Sequence, residues 1–247
     1  FDMNGQPLDL ETPNLEPGVQ TGEYQHLFCP TGLLDDAWWH RSYWEYGRVW
    51  KSGASGYFLA GRFTPACRPI VFDDATVYAY GRKQQYYRWT TPMEYQLYAS
   101  AKAPKIIHAK EAEEDAKPAR KKAAAKKARA GGAPNARIEC AWMQEVPILA
   151  RAMVLAGDTL FVAGPPDTVD EEASLKRFGE AATQRKLEEQ AAALTGKSGM
   201  LLRACSTDGG KKLAERKLES APVFDGLIAA NGCLYLCTLD GKVMQLK

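Results

Sequence analysis

The chain has 247 residues, 45 % of them hydrophobic, and a net charge of +2. That length suits one large β-domain or two small ones. The near-neutral balance gives no electrostatic reason to expect nucleic acid or an anionic membrane as partner, and no run of about 18 apolar residues is present to cross a bilayer.

Residue 1 is Phe, and no basic stretch followed by an apolar core comes after it. This suggests either a removed leader or, the preferred expectation, a piece cut from a longer protein. Residues 1–22 contain Pro, Gly and Asn and little periodicity. Residues 35–50 then hold four of the six tryptophans, at 38, 39, 44 and 50. Exposed tryptophans stack on sugars, quinones or partner side chains; buried ones pack a connection against a domain. Asp36, Trp38, Trp39, His40 and Trp44 are the candidate ligand-binding residues. Asp35, Asp36 and His40 could form an acid–base set, although neighbouring carboxylates in turns commonly serve as caps or ion-pair partners. The histidines, His26, His40 and His108, form no HExxH, and the chain has no nucleophile elbow. Gly53-Ala54-Ser55-Gly56 lacks the Gly-Lys-Ser/Thr of a phosphate loop. No catalytic residue and no metal ligand is assigned.

From residue 62 a repeat takes over. Ile70-Val71-Phe72-Asp73-Asp74-Ala75-Thr76-Val77-Tyr78-Ala79 aligns with Val154-Leu155-Ala156-Gly157-Asp158-Thr159-Leu160-Phe161-Val162. Both align with Ile228-Ala229-Ala230-Asn231-Gly232-Cys233-Leu234-Tyr235-Leu236. Each is an apolar strand, a polar turn, and a second strand reading aliphatic, aromatic, small or aliphatic. Asn231-Gly232 is the strongest hairpin signal, because a type I′ turn needs φ > 0 at both central residues. Asp240-Gly241 marks a further turn before Val243-Met244-Gln245-Leu246.

Val77 and Leu160 are 83 residues apart, and Leu160 and Leu234 are 74 apart. Removing the Lys/Ala-rich residues 102–137 from the first interval leaves 47. Removing the helix-like residues 165–199 from the second leaves 39. Both remainders approximate one propeller blade of about 40–45 residues. Strand runs such as Cys233 to Leu239 are apolar on both faces, as in a sheet stacked between neighbours. The first insert carries Lys117, Arg120, Lys121, Lys122, Lys126, Lys127 and Arg129; without interleaved aromatics it reads as a solvated, mobile loop. In the second, Asp170 can cap a helix with Glu171 and Glu172 in its first turn. Leu187, Ala191 and Leu194 form the expected docking stripe, Gly179 weakens the middle, and Gly196 can end the helix.

The six cysteines, at 29, 67, 140, 205, 233 and 237, form no CxxC and no adjacent pair. Cys233 and Cys237, on one strand, would lie roughly 13 Å apart at about 3.3 Å per residue, too far to bridge. They read as small buried hydrophobes.

Leu201-Leu202-Arg203-Ala204-Cys205-Ser206-Thr207-Asp208-Gly209-Gly210-Lys211-Lys212-Leu213 resembles the repeat of PQQ-like, or quinoprotein-type, β-propellers. In that family a strand ends in Ala-x-Asp, a Gly-Lys turn follows, and the next strand leads to a docking Trp. Val223 to Tyr235 looks like the opening of the next blade. Ser206 stands where the Asp would be and Ala214 where the Trp would be, whereas Trp142, 18 residues before Leu160, fits the docking position. The resemblance covers about 62–247 without the inserts. It implies a mainly β chain of antiparallel β-propeller blades, a partial propeller with a helical insert, a disordered insert and an aromatic-rich N-terminal segment, 1–61. Two fairly complete units and a partial one cannot close a ring of 4–8 blades, so the partners expected are missing N-terminal blades of the same protein or another protein.

Some members of this family are dehydrogenases holding PQQ and Ca²⁺; others are non-catalytic scaffolds, including an outer-membrane protein assembly lipoprotein. The blades alone match the scaffold class, for which no cofactor is expected. A fragment of a quinoprotein-like oxidoreductase, with PQQ and Ca²⁺, is the alternative. Export to the periplasm is implied by the resemblance alone.

Overall fold

The computed structural model describes residues 15–16, 19–28, 44–51, 66–83, 95–102, 105–108 and 136–247. They are mainly antiparallel β, and the chain divides into two compact units. The first unit contains β1 (Leu15–Glu16), β2 (Val19–Phe28) and β3 (Trp44–Lys51), paired antiparallel in that order. On β3, Tyr46 is fully buried and Trp44, two residues earlier and so on the same face, is half-buried.

In the second unit the chain runs through β4 (Ala66–Phe72), β5 (Thr76–Arg82) and β6 (Tyr95–Ala101). It returns to the first unit for β7 (Ile106–His108) and β8 (Ala136–Ile138), which pair with His108 opposite Ala136. The stretch expected to be a loop over 102–137 therefore begins and ends in paired strand; its basic run, Lys117 to Arg129, lies outside the described residues. Next come β9 (Trp142–Gln144), β10 (Ala152–Ala156), β11 (Thr159–Gly164), β12 (Met200–Ser206) and β13 (Lys212–Leu218). β14 (Pro222–Ala230), β15 (Cys233–Thr238) and β16 (Val243–Leu246) complete the unit.

These strands make three sheets, ordered β4-β5-β6-β9, β10-β11-β12-β13 and β14-β15-β16, with every neighbouring pair antiparallel. The described residues form no closed propeller. All three hairpins expected from the repeat are present. Phe72 pairs with Val77 across a loop closed by Asp73, whose Oδ1 accepts from the backbone N–H of Ala75 (2.9 Å) and Thr76 (2.7 Å). Ala156 pairs with Thr159 across two residues. Ala230 pairs with Cys233 across Asn231 and Gly232, whose φ of +52° and +73° are those a type I′ turn demands.

Because side chains alternate along a strand, β11 feeds two cores. Leu160 and Val162 join Tyr80, Leu97, Ile148 and Met153 in a core between the first and second sheets. Phe161 and Ala163 face the other way, with Met200 and Leu202 of the second sheet and Leu227 and Leu236 of the third. The strands β10, β11 and β12 of the second sheet therefore contribute to cores on both faces, while its edge strand β13 is exposed from Lys212 to Lys217. The third sheet is covered on one face: Leu236 is fully buried, but Ile228 and Val243 on the opposite face are 60 % and 68 % exposed. The expectation that its strands are sandwiched holds on one face only.

The connection from β11 to β12 forms two helices, α1 (Glu171–Lys176) and α2 (Ala181–Leu194), where one was expected. Asp170 caps α1 by accepting from Ala173 N (2.8 Å), and Gly196 takes φ +87° just beyond α2, as foreseen. The docking stripe is different. Thr183, Gln190 and Ala193 are the buried residues of α2; of the expected stripe, Leu187 is half-buried on the face of Thr183 and Gln190, while Ala191 and Leu194 are exposed. Gln190 fixes the helix to the loop before α1: its Oε1 accepts from Thr168 N (2.8 Å) and Oγ1 (3.0 Å), and its Nε2 donates to Pro166 O (3.0 Å). A buried amide bonded at both its oxygen and its nitrogen can replace an apolar contact.

Candidate functional site

Two seams separate the three sheets, and equivalent positions along them can be read from strand register. In the first sheet, Tyr78 on β5 lies opposite Ala99 on β6, which lies opposite Trp142 on β9. In the second sheet the matching row is Phe161 on β11, Ala204 on β12 and Ala214 on β13. Both rows cross the sheet on the face turned toward the next one.

Trp142 closes the first seam. Its indole Nε1 donates to Thr207 O (2.8 Å), its ring centroid lies 6.2 Å from that of Tyr78, and Gln144 Nε2 donates to Gly209 O (3.2 Å). The β12–β13 turn meets the indole through Gly210, where a Cβ would fall 2.6 Å from Trp142 Cζ3. Gly210 also has φ +66°, so glycine is required there both for space and for conformation. Ser206 organises the same turn: its Oγ accepts from Asp208 N (3.0 Å).

The second seam is open. At the position of Trp142 it has Ala214, and beside it lies a cavity of about 530 Å³ whose walls include Phe161, Leu202, Leu234 and Leu246. Two cations, Arg216 and Lys247, line it, and no Asp or Glu does. Arg216 is exposed and has no ion-pair partner among the described residues, in contrast to Arg203, whose Nη2 lies 2.6 Å from Glu215 Oε2. Neutral polar groups are contributed by Thr159 and Asn231. This is an apolar recess with a cationic rim, the composition of a small-molecule site.

Nearby ionisable groups are structural. Burial raises the thiol of Cys205, which is fully buried in the first core and therefore behaves as a small hydrophobe. Burial raises the phenol of Tyr80 well above its usual value; its ring stacks on Tyr95 with centroids 5.4 Å apart. Asp225, in the bulge of β14, has φ +53°, and its N–H donates to Arg151 O (3.0 Å). Although part of the residue is open to solvent, lost solvation pushes its carboxyl up to about 6. Among the described residues no cluster of three or more His, Cys, Asp or Glu side chains could hold a metal ion.

Of the residues singled out in the sequence, Asp36, Trp38, Trp39 and His40 lie outside the described residues. Trp44 lies on β3, half-buried. Cys233 and Cys237 share β15 as expected, but they are not the buried hydrophobes the sequence suggested: Cys233 is half-buried and Cys237 exposed, because the outer face of this sheet is uncovered.

No family model and no curated protein matches the chain. The seams are thus the best guide to function. The cavity was foreshadowed in the sequence only by the small residue at 214, whose consequence emerges once the strands are in register.

Proposed function

We propose that this chain is a non-catalytic interaction scaffold of propeller type, part of a larger PQQ-like repeat protein. The observation that carries the reading is the second sheet, whose strands β10 to β12 feed cores on both faces and whose row Phe161, Ala204, Ala214 crosses the same strand positions as Tyr78, Ala99, Trp142 in the first. A sheet built this way is a unit of a serial stack. The third sheet presents the corresponding outward row, Tyr235 opposite Gln245, flanked by exposed Ile228 and Val243. A contiguous apolar face of that kind is suited to receive a further sheet or a protein partner.

A structure of the longest polypeptide containing these residues tests the reading: a further antiparallel sheet should cover Ile228, Tyr235 and Val243. A face left open to solvent there would refute the stack. Added PQQ and Ca²⁺ should give neither a new absorbance band nor dye reduction; measured turnover would overturn the non-catalytic assignment.

A further inference from the structure

We propose that the cavity between the second and third sheets binds a single-chain amphiphile with a carboxylate head. The tail lies among Phe161, Leu202, Leu234 and Leu246, and the head meets Arg216. The cavity is walled by Phe161, Leu202 and Arg216 of the second sheet and by Leu234 and Leu246 of the third, and the neighbouring register position, held by Trp142 in the first seam, has only the methyl group of Ala214. Its volume of about 530 Å³ falls in the range of small-molecule sites. Its walls are apolar, which stabilises a hydrocarbon tail in proportion to the area removed from water.

The charge of the rim selects the head. Arg216 and Lys247 bring two cationic side chains, no Asp or Glu side chain lines the cavity, and Arg216 has no ion-pair partner among the described residues. A guanidinium presents a planar fork that matches a carboxylate with two parallel hydrogen bonds. A neutral head would forgo that contact, and a cationic head would face two like charges. The site is separate from the exposed face of the third sheet at which the scaffold reading is tested, and either can fail without the other.

Isothermal titration of the 247-residue chain with sodium dodecanoate, kept below its micelle concentration at pH 8, tests the assignment. Saturable binding at one molecule per chain is expected. Arg216→Gln should weaken it about tenfold, the effect of losing one hydrogen bond to a charged group. Dodecanol should bind about tenfold more weakly than dodecanoate and be indifferent to Arg216→Gln. Ala214→Trp, which restores the bulk present in the first seam, should abolish dodecanoate binding while far-UV circular dichroism is preserved. The proposal is overturned by an absence of saturable binding, by several molecules bound per chain, by equal binding of dodecyltrimethylammonium, or by dodecanoate binding unchanged in Arg216→Gln.

Discussion

The two seams are built on the same register yet packed differently. In the first, the row Tyr78, Ala99, Trp142 ends in an indole that reaches the next sheet's turn and bonds to its main chain. In the second, the row Phe161, Ala204, Ala214 ends in a methyl group, and a cavity opens beside it. The shared register therefore does not by itself give the same packing: the first seam has an indole bonded across it, and the second has none at the equivalent position. The contrast also separates two uses of one architecture, a joint that holds and a joint that can admit a ligand.

The sharpest way to break the comparison is to remove the seal. Trp142→Ala should cost about 3 kcal/mol, at the low end for large aromatic truncations because the indole is only half-buried. Urea unfolding followed by circular dichroism measures it, and a loss below about 1 kcal/mol would mean that the seam does not depend on the ring. The reciprocal partner comes next. Gly210→Ala should destabilise by about 2 kcal/mol, since the new methyl group meets the indole and the residue must keep a positive φ.

Filling the open seam should have the opposite sign and a smaller size. Ala214→Trp is expected to change stability by no more than about 1 kcal/mol in the stabilising direction, because its site is exposed and the recess beside it already exists. A loss comparable to that of Trp142→Ala would show that the second seam is fully packed in solution.

The smallest effect concerns the link between β14 and the second sheet at Asp225. Its carboxyl is raised in the folded chain to about 6 from an ordinary value of 3.8, so the folded state binds the proton more tightly than the unfolded one. Stability should accordingly fall as pH rises from about 4 through 6, with the penalty fully present above that window. Asp225→Asn should remove this dependence, matching the parent at pH 4 and exceeding it at pH 7 by about 0.5 kcal/mol, the scale of surface substitutions. Equal pH profiles for the two proteins would show that the charge is fully solvated.

Features set by local chemistry were legible in the sequence. Asn231-Gly232 announced its hairpin because few dipeptides accept positive φ twice, and Asp73 announced its loop because a short carboxylate bonds to the backbone just ahead of it. Asp170 and Gly196 marked helix ends for equally local reasons. What depended on tertiary packing was less visible. The apolar spacing of Leu187, Ala191 and Leu194 suggested the docked face of α2, yet the helix turns Thr183, Gln190 and Ala193 inward, since Gln190 finds three hydrogen bonds on the preceding loop. Periodicity cannot register a polar residue whose burial is compensated by partners distant in sequence. The site candidates Asp36, Trp38, Trp39 and His40 were chosen for residue type alone. The cavity belongs to residues from all seven strands β10 to β16, which no linear motif unites.

The strands β10 to β12 of the second sheet, covered on both faces, and the third sheet, covered on one, also imply a gradient of local unfolding. In a serial stack each unit is stabilised by its own strands plus the interfaces it shares, so opening the middle unit breaks two interfaces and opening the terminal one breaks one. Backbone amides in β10, β11 and β12 should exchange with deuterium only through large-scale opening, whereas those in β15 and β16 should exchange earlier, through fraying that leaves the rest of the chain folded. The recess beside β16 consequently lies against the most easily opened part of the second unit, and occupancy by a ligand would slow that exchange by favouring the closed form.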